Sequence, residues 1–579
     1  MGSVQYYIKG NDGRHHLIFI VKQQPTGQKK CVWATAFISI LWSLWKQRNE
    51  MMMMIFRGVK PHHQYAWLVA NRASEDANLR PTTPFPKKQR SSFSLSLLSL
   101  SLLLKTPSPK MRLDCLLYLL PLLLFSLSSA AHGSRLKGIG VNYGTLGDNL
   151  PSPAKSVRLI CALNAGYVKI YDANATILSA LAGTGLRVSI MVPNEIIPAI
   201  AANQSAAEAW VSTNVLPFLR RTRIRYLLVG NEILSDYSIK NSTWQAVVPA
   251  MQNLHRALKS HSIRNIKLGT TLAMDVLSVS APPSSGTFRP DIAEPVLRPL
   301  LTFLCKTRSY FFVDAYPYFV WSANYTTISL DYALFRAGPS LYRTDPVSKL
   351  VYTNLLDEML DSVIAAMGKL GFNDVKLAVA ETGWPNGCDL DQIGGNVYNA
   401  AVYNRNLARR MAGKLGTPAR PRVNMPVFVF SLYNENKKPG PGTERHWGMY
   451  YPNSKPIYEV DLSGRRPMES YPPLPLANNN SPYKGPIWCV FTGNKNANVT
   501  ELSGALQYAC GQGNGTCNAI QSGGKCYQPN SLAVHASWAF NLYWQQFTKI
   551  GATCYFNGLA TQTAKDPSYG SCRFPSSLN

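Results

Sequence analysis

From residue 138 onward, the chain alternates between apolar runs of strand length and longer stretches whose apolar residues recur every three or four positions. Eight runs read as strands: 138–144, 167–172, 187–194, 224–232, 266–273, 311–318, 375–384 and 426–435. Several are apolar almost throughout, as a strand covered on both faces should be. Helical spacing appears at 244–262, 350–370 and 397–415. Regular strand-helix alternation builds parallel sheets. Eight units between 137 and 462 predict an α/β fold closed as a TIM (β/α)8 barrel, with an open doubly wound sheet as the lesser alternative.

The pattern changes at either side of the barrel. Residues 463–485 are rich in Pro, Asn and Ser, including Pro472-Pro-Leu-Pro and Asn478-Asn-Asn, and read as a linker. Residues 486–579 hold six of the eleven cysteines: Cys489, Cys510, Cys517, Cys526, Cys554 and Cys572. That density predicts a small disulfide-rich domain made in an oxidising compartment. No apolar tail follows Cys572, so a glycolipid anchor signal is not expected.

Upstream, 94–104 reads SLSLLSLSLLL, the Leu/Ser alternation that a CT repeat gives when translated. Residues 1–110 are therefore expected to be a non-native or disordered extension. The apolar run 32–45 is short for a membrane span. Met111 opens a signal-peptide pattern over 111–131, with Arg112, an apolar run at 116–127 and small residues before His132. A secreted product acting outside the cell or in a wall follows as an expectation. Seven sequons, at Asn174, Asn203, Asn241, Asn324, Asn479, Asn498 and Asn514, would permit glycosylation.

The formal net charge is +28, of which residues 1–134 supply +12 and 135–579 supply +16. A basic surface makes acidic wall polymers candidate partners. The cluster Arg220, Arg221, Arg223, Arg225 reads as a solvated approach to the fourth strand, and no nucleic-acid motif accompanies it, so no nucleic acid is expected. Gly138-Ile-Gly140-Val-Asn-Tyr-Gly144 misses the dinucleotide spacing, and His255, His261, His446 and His535 lack metal-ligand spacing. No cofactor or metal is expected. Cys161, Cys305 and Cys388 read as incidental to catalysis.

Two apolar runs end in glutamate: Val229-Gly-Asn231-Glu232, and Ala378-Val-Ala-Glu381-Thr-Gly-Trp384-Pro385. Parallel barrels place their catalytic groups at that end of the strands. Either glutamate alone would more often be a surface ion-pair residue. Together, they are the two carboxylates that glycoside hydrolysis requires, one to protonate the departing oxygen and one to attack the sugar or activate water. Asn231 can bond a sugar hydroxyl, and the Trp384 indole can stack on a sugar face. The last strand leads into Asn434-Glu435-Asn-Lys-Lys438 and Glu444, where a lysine beside carboxylates can hold one ionised.

Residues 138–460 resemble the plant endo-1,3-β-glucosidases of glycoside hydrolase family 17. The resemblance rests on Ile139-Gly-Val-Asn142-Tyr143-Gly144, Val168-Lys-Ile-Tyr171-Asp172, Val229-Gly-Asn231-Glu232, Asp314-Ala-Tyr316-Pro317, Glu381-Thr-Gly-Trp384-Pro385 and Asn434-Glu435-Asn. It implies a retaining mechanism on 1,3-β-glucan such as callose, with Glu232 as acid/base and Glu381 as nucleophile. It also implies a supporting network of Glu435, Lys438 and Glu444, and a cleft lined by Tyr143, Tyr171, Tyr316 and Trp384. Residues 486–579 resemble the plant carbohydrate-binding module of family 43. That likeness implies the pairs Cys489–Cys554, Cys510–Cys517 and Cys526–Cys572, and binding of 1,3-β-glucan. The alternatives are a glucan-binding wall protein with little catalysis, and a hydrolase of mixed-linkage 1,3-1,4-β-glucan.

Overall fold

Eight parallel strands close into a barrel: β1 Gly140–Asn142, β2 Tyr167–Lys169, β3 Arg187–Val192, β4 Arg223–Asn231, β5 Lys267–Ala273, β6 Tyr310–Asp314, β7 Lys376–Thr382 and β8 Val427–Val429. The computed structural model describes residues 4–9, 16–21, 138–494 and 497–578. All eight expected strands are present, and β8 returns to β1 through the pairs Phe428–Gly140 and Val429–Val141.

The near-continuous apolar strands reflect two separate cores. Inside the barrel lie Met191, Tyr226, Leu228, Phe312, Ala378, Ala380 and Phe428. Their alternates, among them Leu227, Val229, Val313 and Val379, join the larger core outside the strands. Large and small residues interlock across the interior. A Cβ on Gly269 would come within 2.4 Å of the Phe312 ring, closer than packed atoms tolerate. The expected helices form at Val247–Ser260, Leu355–Lys369 and Val397–Ala412. Asn354 and Asn396 cap the last two by accepting the backbone N–H of Asp357 and Asn399.

Residues 463–485 run along the barrel and are fastened to it. The Tyr471 ring carries the guanidinium groups of Arg405 and Arg466 at 4.0 and 4.3 Å. The Asn396 amide donates to Asn479 and Asn480 at 2.7 and 3.0 Å. The Asn479 amide nitrogen, where a glycan would attach, donates instead to Cys388 and Gly395.

The tail builds an antiparallel sheet from Pro486–Phe491, Ala560–Thr563 and Ser577–Leu578, packed with helices Val499–Gln512 and Leu532–Phe547. Its three disulfides, Cys489–Cys554, Cys510–Cys517 and Cys526–Cys572, have the pairing that the family resemblance implied. The tail meets the barrel beside its last exit loop. The Tyr555 hydroxyl donates to the Asn436 carbonyl at 3.1 Å, Arg445 lies 3.9 Å from the Tyr555 ring centre, and Leu390 packs against the tail's core.

Near the N-terminus, Val4–Lys9 pairs antiparallel with His16–Val21. The remaining expectations for 1–110, and those for the signal pattern at 111–131, lie outside the described residues.

Candidate active site

Both glutamate-bearing strands gain a residue just before they end. Along β4 the pairing with β5 runs from Leu228–Gly269 to Asn231–Thr271, three steps against two. Along β7 it passes from Val379 to Glu381 while β6 advances only from Val313 to Asp314. An inserted residue bends a strand and re-aims the side chains after it. Ala378 and Ala380 face the barrel interior and Val379 faces outward. Strict alternation would send Glu381 outward too, and the extra residue turns it inward. Glu232 follows Gly230 (φ +82°) and itself sits at φ +47°, ψ +35°. A left-handed conformation at a glutamate stores strain of order 1–3 kcal/mol, and such strain concentrates at functional sites.

Glu381 is buried. Its Oε1 accepts from the Lys169 ammonium at 2.6 Å and from the Tyr171 hydroxyl at 2.5 Å, and its Oε2 accepts from the Tyr316 hydroxyl at 2.6 Å. Burial alone would raise its pKa. The charge of Lys169 and the three donated hydrogen bonds outweigh burial and hold the carboxyl below the usual range. Glu232 has the opposite balance. Burial, then the negative charge of Glu381, push it up to about 7 despite the opposing pull of Lys169. Two identical side chains thus sit in environments that drive their protonation apart, one ionised and one carrying its proton.

Asp314 pairs in register with Glu381 across β6 and β7. Neither of its carboxyl oxygens has a hydrogen-bond partner among the described residues. Burial, followed by the charge of Glu381, raises it well above the ordinary carboxylate range, and Lys169 opposes that rise. Glu435 accepts the Leu146 N–H at 2.7 Å, and Lys438 pairs with Glu444 at 3.4 Å while lying 4.2 Å from the Phe430 ring. Burial raises Glu435, and Lys438 opposes that rise. The expected network of Glu435, Lys438 and Glu444 thus comes together in one loop region. The lysine that pairs with Glu381, however, is Lys169. The Asn231 side chain accepts from the Thr271 hydroxyl at 2.9 Å, and its backbone is bracketed by Asn194.

Two aromatic expectations need correction. Trp384 does not line the cleft. It is fully buried, donates its indole N–H to the Gly394 carbonyl at 2.7 Å, and packs against Tyr318, Trp321 and Tyr403. An indole with its N–H satisfied among three rings gains more from burial than from solvent. Tyr143 is also buried, edge-on against Tyr433, and belongs to the core packing. Tyr171 and Tyr316 do reach the site, through Glu381. Sequence reading gave no role to Lys169, Asp314 or Phe319. Lys169 was signalled by a lone cation inside the apolar strand Tyr167-Val-Lys-Ile. Phe319 is 44% exposed, with its ring 5.6 Å from Tyr316.

A parallel barrel presenting an ionised and a protonated carboxyl at the ends of its fourth and seventh strands is the equipment of a glycoside-cleaving enzyme. The chain belongs to glycosyl hydrolases family 17, whose family model matches residues 139–462, and the X8 domain model matches residues 487–561. It is 52% identical over 440 residues to "Probable glucan endo-1,3-beta-glucosidase A6" of Arabidopsis thaliana, covering 76% of this chain and 91% of that relative. It is 37% identical over 465 residues to the glucan endo-1,3-beta-D-glucosidase of Olea europaea, covering 80% and 98%. Among solved structures, it is similar to CJP38, a beta-1,3-glucanase and allergen of Cryptomeria japonica pollen, with TM-score 0.53, 37% identity and coverage of 56% of this chain and 99% of that one.

Proposed function

We propose that the protein hydrolyses internal 1,3-β-glucosidic linkages of 1,3-β-glucans with retention of configuration, outside the cell. The observation that carries this reading is the placing of two glutamates at the ends of the fourth and seventh strands, Glu381 held by Lys169, Tyr171 and Tyr316, and Glu232 without such donors among the described residues and pushed up by burial and by the charge of Glu381. Ionised Glu381 attacks the anomeric carbon while Glu232 gives its proton to the departing glycosidic oxygen, leaving a glycosyl ester on Glu381. Water then attacks the same carbon, Glu232 takes up the proton, and the ester bond breaks. Retention calls for carboxyl groups about 5 Å apart, against a wider gap for inversion. The exposed face of Phe319 is the candidate platform for a sugar ring in place of Trp384. The X8 match, and the exposed Tyr508 ring beside Tyr543 in the tail, support a second site of contact with glucan. The three tail disulfides support an extracellular site of action.

Proton NMR of the first minutes of cleavage tests the reading. A soluble 1,3-β-glucan oligosaccharide should release the β-anomer first, and Glu381→Ala should abolish turnover while leaving glucan binding intact. The α-anomer appearing first would reject retention. Faster cleavage of mixed-linkage glucan than of 1,3-β-glucan would move the substrate assignment.

A further inference from the structure

The catalytic groups occupy one end of the barrel. At the other end, the charges on the connections that feed the second to eighth strands are almost all cationic, with Asp461 beside Asn164 at the entry to the first. Segments 163–166, 181–187, 219–223, 261–267, 308–310, 370–376 and 413–427 together carry eleven Lys or Arg and one acidic residue, Asp374. Closure of the barrel gathers them onto one pole. Arg187 and Arg223 open neighbouring strands in register with one another, and Lys376 opens β7 opposite Tyr310 of β6. Their charges act on each other. Partial burial, then Arg223 and Arg187, lower the pKa of Arg225, and partial burial, then Lys376 and Arg308, lower that of Lys267. None of these six forms an ion pair among the described residues. Like charges held together without counter-charges destabilise a fold and raise the local concentration of anions.

We propose that this pole is a docking surface for an acidic polysaccharide, a chain of uronate sugars. The cations sit at strand starts, about 4.8 Å from one strand to the next, and a uronate chain offers one carboxylate per ring at a comparable repeat. Single-stranded nucleic acid would call for exposed aromatic rings between the cations. Among the described residues, the exposed large hydrophobic side chains of these segments are Leu415 and Val423, and neither is aromatic. The choice of a sugar chain also rests on the proposed action on wall glucan. The pole lies at the opposite end of the strands from Glu232 and Glu381, so a bound uronate chain would leave the mouth open. The enzyme would then be held on the acidic matrix that surrounds its neutral substrate.

The test uses the full chain with Arg220, Arg223, Arg264 and Lys376, all exposed, changed together to Gln. Co-sedimentation with polygalacturonate gel is measured against rising salt, alongside kcat/KM on a soluble neutral 1,3-β-glucan oligosaccharide. The parent should bind the gel and be released by salt. The variant's affinity should fall roughly tenfold or more as four charges leave the pole, with kcat/KM unchanged. Equal binding by parent and variant overturns the proposal, as does equal binding to fully methyl-esterified gel. Preferential capture by duplex DNA at matched charge reassigns the pole to nucleic acid and overturns the polysaccharide. Loss of hydrolysis by the parent would instead undo the catalytic reading and leave the gel result standing by itself.

Discussion

At the scale of single residues, Lys169 decides the chemistry. It is wholly buried, and among the described residues its one ion pair is with Glu381. A buried charge persists only when paired, and breaking such a pair costs about 3–5 kcal/mol. Lys169→Met should therefore lower the melting temperature. It should also let burial raise Glu381, so that the acid limb of the kcat/KM profile moves toward neutral pH and activity near pH 5 falls by about two orders of magnitude. An acid limb left in place in a folded variant would show that Lys169 does not set the ionisation of Glu381. The parent's profile follows from the same two groups. Glu232 must carry its proton to act as an acid, so kcat/KM should decline as pH rises through about 7. Glu381 must be ionised to attack, so the lower limb should appear only as pH drops below the usual carboxylate range. A rate still rising above pH 8 contradicts the assignment of Glu232.

At the scale of elements, the eight strands were readable because burial on both faces leaves an unbroken apolar run. The same property hid which way each side chain points. With no polar face to mark the alternation, the extra residues in β4 and β7 leave no trace in the sequence, yet they turn Glu381 into the barrel. The Glu232–Glu381 pair was legible from its place at two strand ends. Trp384 was misread because an aromatic beside a catalytic residue looks the same in sequence whether it faces a sugar or the core. Backbone shape at β4 is itself testable. Gly230 has φ +82°, and a Cβ there would lie 2.1 Å from the Ile233 side chain. Gly230→Ala should cost about 1–3 kcal/mol of stability. By shifting Glu232 it should also lower kcat by one to two orders of magnitude with a smaller change in KM. Urea unfolding and steady-state kinetics on the same preparation separate the two effects. Wild-type kcat in the variant would mean the turn does not aim Glu232.

At the scale of the whole molecule, the described residues from 138 onward form one compact unit, and the tail touches the loop that carries the Lys438–Glu444 pair. Arg445 joins the two. Its guanidinium donates to the carbonyls of Lys438 and Gly440 and rests on Tyr555 of the tail. Tyr555→Ala should loosen that loop and raise KM several-fold on soluble oligosaccharides, where anchoring to insoluble glucan plays no part, with kcat little changed. An unaltered KM would make the contact one of packing alone. The strap at 463–485 has a further consequence. Left free, 23 residues would let the tail wander roughly 25 Å. Tyr471, Asn479 and Asn480 remove that freedom. A glucan fibre bound by the tail, as proposed above, would hold the mouth of the barrel at one set offset from the point of attachment. The enzyme would then work as a ruler rather than a leash, cutting at a fixed remove from where it holds.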